Sequence, residues 1–143
     1  MWVMVTHATP KVMLVDDNEL LRATLGRWAA SSHCLQVVGS FADGQGVHEA
    51  ARAARPDVVL LDYHIPGTDT LALTRELTAA GLRVVLLSGY TDKDVISACI
   101  DAGAVGFLSK QLSPSEIARH VADAISGNFA LCETSLAALS RRA

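Results

Sequence analysis

Five apolar runs of strand length recur along the chain, each followed by a stretch with helical spacing. Residues 11–16 (KVMLVD) form the first run, after which Leu21, Leu25 and Trp28 fall on one helical face. Residues 35–41 (LQVVGSF) read as a second strand. Asp43 and Gly44 then open an alanine-rich helix carrying Val47, Ala50, Ala51 and Ala54, and Pro56 stops it. Residues 57–62 (DVVLLD) are continuously apolar between their two aspartates, the pattern of a strand buried on both faces. A loop with Pro66 and Gly67 leads to a helix marked by Leu73 and Leu77 and closed by Gly81. Residues 83–89 (RVVLLSG) are the fourth run, and the helix after them has Thr91 as its predicted N-cap and Gly103 at its C-terminal end. Residues 104–110 (AVGFLSK) are the fifth. Ser113, Pro114, Ser115 and Glu116 then make a capping box with proline at the first helical position, and Ile117, Val121 and Ile125 line that helix's buried face.

Successive β–α units of this kind predict an α/β fold with a parallel sheet and helices on both faces. Five strands are too few to close an eight-stranded barrel. The expected solution is doubly wound and flavodoxin-like, with a five-stranded sheet in the order 2-1-3-4-5. In that order the first and third strands are neighbours whose connections leave towards opposite faces, and a ligand crevice opens at their C-terminal ends.

That rim is where the chemistry collects. The first strand ends at Asp16 and Asp17, the third at Asp62, the fourth at Ser88 and the fifth at Lys110. Like charges so placed repel unless a cation lies between them. An oxygen-only set with no cysteine or paired histidine suits Mg²⁺, or Mn²⁺. Mg²⁺ sites of this type combine one or two carboxylates with a phosphate, so the rim reads as a receptor for a phosphoryl group. A carboxylate is a competent covalent nucleophile, which gives Asp62 a role, with Lys110 and Ser88 meeting the charged oxygens.

Composition narrows the picture. The chain has 143 residues, 50% of them hydrophobic, and a net charge of -3, so one domain can bury a good core while no basic face offers itself to nucleic acid. Arg141 and Arg142 are too small a basic group to alter that. Cys34, Cys99 and Cys132 form no CxxC pair and read as buried thiols of a reducing cytoplasm. No run approaches a membrane span, and residues 1–10 lack the regions of a signal peptide and read as a flexible leader.

The segments VMLVDDN, DVVLLDYHIPG, VVLLSGY and GFLSK, in this order, resemble the signature segments of bacterial response-regulator receiver domains. The resemblance covers residues 11–127, with residues 128–143 as the start of a C-terminal linker or helix. It implies that a histidine kinase phosphorylates Asp62. It implies that Asp16, Asp17, Asp62 and the backbone carbonyl of His64 hold Mg²⁺, with Asp17 a direct ligand. Ser88 takes the place of the switch hydroxyl, Lys110 that of the invariant lysine, and Phe107 that of the switch aromatic. Three departures stand out: Thr70 replaces a usual glycine, Gln111 rather than proline follows Lys110, and Phe107 carries no hydroxyl. GFLSKQLSPSEI and the residues after Gly127 are similar to the NarL/FixJ branch of transcriptional regulators. There a LuxR-type helix-turn-helix domain follows, so DNA binding is expected only through a domain outside this chain, with phosphorylation-dependent homodimerisation as the output of the switch.

Two other readings compete. A haloacid-dehalogenase-type phosphatase uses a strand-end aspartate and Mg²⁺, but it needs a second aspartate two residues on, where this chain has His64. The other is a stand-alone or phosphorylation-independent receiver module acting by protein–protein interaction; the intact site argues against phosphorylation-independence, since such modules usually lose an acid or the lysine.

Overall fold

The computed structural model describes residues 8–90 and 92–140. Six strands, β1 (Lys11–Val15), β2 (Gln36–Phe41), β3 (Val58–Asp62), β4 (Val84–Ser88), β5 (Gly106–Ser109) and β6 (Ala130–Leu131), form one sheet in the order β2-β1-β3-β4-β5-β6. Every neighbouring pair is parallel. The expected order of the first five strands is the observed one, but the expected count of five is corrected to six. The added strand has a local cause. Gly106 has no Cβ; one placed there would lie 2.7 Å from both the Cβ and the carbonyl oxygen of Ala130. The missing side chain at Gly106 is what lets the chain return and pair along β5. Gly127, at φ +88°, makes the turn that starts this return.

The helices are α1 (Glu19–Ser32), α2 (Val47–Ala54), α3 (Thr70–Ala79), α4 (Lys93–Asp101), α5 (Pro114–Ile125) and α6 (Glu133–Ser140). Alternate strand residues serve the two faces, as the two-residue side-chain period requires. Met13, Val15, Val59, Leu61, Leu86 and Phe107 pack with Val47 of α2, Leu77 of α3, Ile96 of α4 and Ala138 of α6. Val12, Leu14, Leu60, Leu87 and Leu108 pack with Leu25 of α1 and Ile117 and Val121 of α5. All five residues of β3 and all five of β4 are buried, as the continuous apolar runs predict. Of residues 128–143, expected to start a linker or helix, the described part 128–140 holds β6 and α6, and α6 buries Ala138 in the first of these cores.

Local expectations meet local geometry in most places. The Ser113 capping box forms in full, with proline in the first turn. Ile125 is only partly buried, and Ala124 takes the covered position instead. The second helix starts at Val47 behind Gly46, later than expected, because Asp43 Oδ1 accepts the Gln45 N–H and keeps residues 43–45 in a turn. Thr91 lies outside the described residues; Asp92 Oδ1 accepts the N–H groups of Asp94 and Val95 and caps α4. Cys99 and Cys132 are buried, but Cys34 is exposed, because it follows His33, which turns the chain out of α1 at φ +60°. Residues 1–7 of the expected leader also lie outside the described residues. Among the described residues no helix is long and apolar enough to cross a membrane.

Candidate functional site

The rim is built by one repeated device. At the ends of β1, β3, β4 and β5 a side-chain oxygen accepts the N–H two residues later, breaking the strand into a turn. Asp16 Oδ1 accepts from Asn18 at 2.8 Å, Asp62 Oδ1 from His64 at 3.1 Å, Ser88 Oγ from Tyr90 at 3.1 Å and Ser109 Oγ from Gln111 at 3.1 Å. Each of these residues is polar where it ends a buried strand, and Asp16 and Asp62 also reach the crevice, where Lys110 meets them. Asn18 in turn caps α1, its side chain accepting the Leu21 N–H at 3.1 Å.

Four of the expected site residues meet. Lys110 Nζ lies 2.9 Å from Asp16 Oδ2 and 2.9 Å from Asp62 Oδ2, and donates to Asp16 Oδ1 at 3.1 Å. Asp17 joins them, with one oxygen from each of Asp16, Asp17 and Asp62 lying within 4.8 Å of the others. Asp16 and Asp62 are buried, while Asp17 is exposed at the mouth. Ser88 is buried at the end of the next strand, where its carbonyl accepts the Lys110 N–H at 2.9 Å. His64 stands in the β3–α3 loop beside Asp62. Phe107 is separate from the cluster: it is 0% exposed in the core with Ile96 and Ala138, three residues before Lys110.

The electrostatics follow from burial and proximity. Burial pushes the Asp62 carboxyl up to about 6; the Asp16 charge adds to the push, while Lys110 and the His64 N–H oppose it. Burial also works against the Lys110 ammonium, but its hydrogen bonds to Asp62 and Asp16 outweigh this and hold its pKa above the ordinary lysine value. One lysine between two buried carboxylates leaves negative charge uncompensated. Asp16 Oδ2 is buried with no aligned hydrogen-bond donor. An oxygen-only cluster of three carboxylates served by one lysine fits a hard divalent cation.

Residues 12–122 match the response regulator receiver domain family. This chain belongs to that family. Response regulator UvrY of Escherichia coli is 34% identical over 118 residues, which are 81% of this chain and 54% of that protein. The DNA-binding transcriptional activator DevR/DosR of Mycobacterium tuberculosis is 35% identical over 131 residues, 90% of this chain and 60% of that protein. The receiver thus spans little more than half the length of these curated relatives. The solved receiver domain of the response regulator NarL from Mycobacterium tuberculosis superposes with a TM-score of 0.78 at 32% identity, covering 85% of this chain and 100% of that one. Receivers of this family are phosphoacceptor switches rather than catalysts, and they bind Mg²⁺ through clustered acids of the kind found here.

One polar contact at this rim is not marked by strand-end spacing. Thr70, which stands where glycine is usual, turns its hydroxyl back to the Tyr63 carbonyl at 2.6 Å. Its signal was the departure itself: a β-branched hydroxyl residue where a small residue is usual.

Proposed function

We propose that this receiver accepts a phosphoryl group on Asp62 from the phosphohistidine of a histidine kinase, with Mg²⁺ held by Asp16, Asp17, Asp62 and the His64 backbone carbonyl. The observation that carries this reading is the Lys110 ammonium placed 2.9 Å from the carboxylates of both Asp16 and Asp62 at the strand switch point. The Asp62 carboxylate attacks phosphorus, the N–P bond of the donor breaks, and the imidazole leaves as a neutral group once protonated. Lys110 neutralises one transferring oxygen and the Ser88 hydroxyl donates to another. The bound ion supplies charge neutralisation of the transferring oxygens. The residue two past Asp62 is His64, so no carboxylate stands there to drive fast hydrolysis of the acyl phosphate.

Loss of the free Asp62 carboxylate frees Lys110 and draws Ser88 towards the phosphoryl group, which biases the packing of Phe107 and the surface around α4 and β5. Homodimerisation in the cytoplasm, and transcription control through a helix-turn-helix domain of the whole regulator, are the outputs we assign; the role of the relative DevR/DosR as a DNA-binding transcriptional activator supports the second. The test is intact mass after incubation with acetyl phosphate and Mg²⁺. One phosphoryl adduct is expected on the wild type, with none on Asp62→Asn and none without Mg²⁺. An adduct on Asp62→Asn, or a fully Mg²⁺-independent one, sinks the assignment.

A further inference from the structure

The Tyr63–His64 peptide unit is gripped at both ends. Its carbonyl accepts the Thr70 hydroxyl at 2.6 Å, and its N–H donates to Asp62 Oδ1 at 3.1 Å. A peptide unit is planar and rigid, so fixing the carbonyl fixes the direction of the N–H. We propose that Thr70 is a positioning residue for Asp62, its hydroxyl setting the peptide that holds the carboxylate. This inference rests on the reading of Asp62 as phosphoacceptor and adds a determinant of its geometry.

The geometry gives Thr70 the means. It is 5% exposed, so water does not compete for its hydroxyl. It is the first residue of α3, and Asp69 caps that helix by accepting the Ala72 N–H at 3.0 Å. The Thr70 carbonyl accepts the Thr74 hydroxyl at 2.7 Å within the same helix. The β-branched side chain has few rotamers to choose from. A rigid helix end therefore aims the hydroxyl, and the peptide carries its direction to Asp62. Donation into the carbonyl also polarises the peptide and strengthens its N–H as a donor. The second carboxylate oxygen, Oδ2, is taken by Lys110 at 2.9 Å, so the plane of the carboxylate is set from both sides. A glycine at this position, which the receiver resemblance leads one to expect, supplies no such grip.

The test uses ¹⁵N-labelled protein and three variants: Thr70→Val, which keeps the shape and removes the hydroxyl, Thr70→Ser, which restores it, and Ser135→Ala as a control for loss of a buried hydroxyl remote from this loop. In metal-free buffer the His64 amide proton is expected to move upfield in Thr70→Val. Mg²⁺ affinity, followed by titration, falls about tenfold, the usual scale for losing a group that orients a ligand. The rate of adduct formation from acetyl phosphate falls with it. Thr70→Ser restores all three, and Ser135→Ala changes none. Thr70→Ala serves the same comparison if the valine variant does not fold. An unmoved His64 amide with unchanged Mg²⁺ affinity overturns the proposal, as does failure of serine to rescue. If the wild type forms no adduct while the amide and Mg²⁺ responses follow Thr70, the phosphoacceptor reading falls and the positioning of Asp62 stands.

Discussion

β3 is buried along all five residues, whereas β6 is two residues long with Ala130 buried and Leu131 only partly so. Both belong to the same parallel sheet. β3 exists because of its own composition: VVLLD supplies side chains for both faces, Val59 and Leu61 for one core and Val58 and Leu60 for the other. β6 exists because of what a neighbour lacks. Ala130 pairs with Gly106 and fills the space where a Cβ would stand, and Leu131 pairs with Phe107. The central strand is thus specified locally, and the edge strand by a void on another strand together with the anchor of α6 behind it.

The largest effect should come from the centre. Leu60→Ala empties a position 1% exposed and is expected to cost about 2–5 kcal/mol. Leu131→Ala at the edge should cost at most about 1 kcal/mol. Urea unfolding midpoints compare the two directly, and equal losses would erase the distinction between centre and edge.

The next effect sharpens the centre at its charged end. The Asp62 carboxyl titrates at about 6 when folded, against an ordinary value of 3.8. A raised acid makes the folded state hold its proton more tightly than the unfolded state does. Stability from this group is therefore present below about pH 4 and is lost as pH rises to about 6, by up to about 3 kcal/mol. In metal-free buffer Asp62→Asn should match the wild type near about pH 4 and exceed it in stability near about pH 7 by that order. A difference that stays flat across this range would place the strain elsewhere.

A further test probes the edge. Gly106→Ala is expected to cost about 1–3 kcal/mol by overpacking against Ala130 and to loosen β6 and α6. The three cysteines report this by alkylation rate. Cys34 is exposed and should react at once in both proteins. Cys99 is buried on α4 with its thiol pushed up to about 12 by burial and should stay protected. Cys132 lies between β6 and α6, 2% exposed and 3.2 Å from the Ser135 hydroxyl, and should react faster in the variant alone. Unchanged Cys132 reactivity would mean that β6 does not depend on the space at Gly106.

The same division runs through the site. Asp16, Asp17, Asp62, Ser88 and Lys110 were legible because each follows a buried strand, and parallel strands bring their ends to one rim. The bonds that Asp16, Asp62 and Ser88 accept from the N–H two residues on follow in kind from residue type, since aspartate and serine favour such turns. The grip of Thr70 on the Tyr63 carbonyl was not, because it joins a loop to the helix after it and depends on where that helix begins. The exposure of Cys34 was equally hidden: a thiol's composition favours burial, but the left-handed turn at His33 decides its place.

The pattern of this chain on its own determined the first five strands, their order, the capping box at Ser113 and the polar residues at the rim. Each of these depends on side chains within a few positions of one another and on the handedness of β–α crossovers. Only the tertiary structure decided the sixth strand, the docking of α6 beside Phe107, the pairing of Lys110 with both Asp16 and Asp62, and the hold of Thr70 on the Asp62 loop. Each of those depends on distances between segments remote in the chain, and close packing rather than local preference sets such distances.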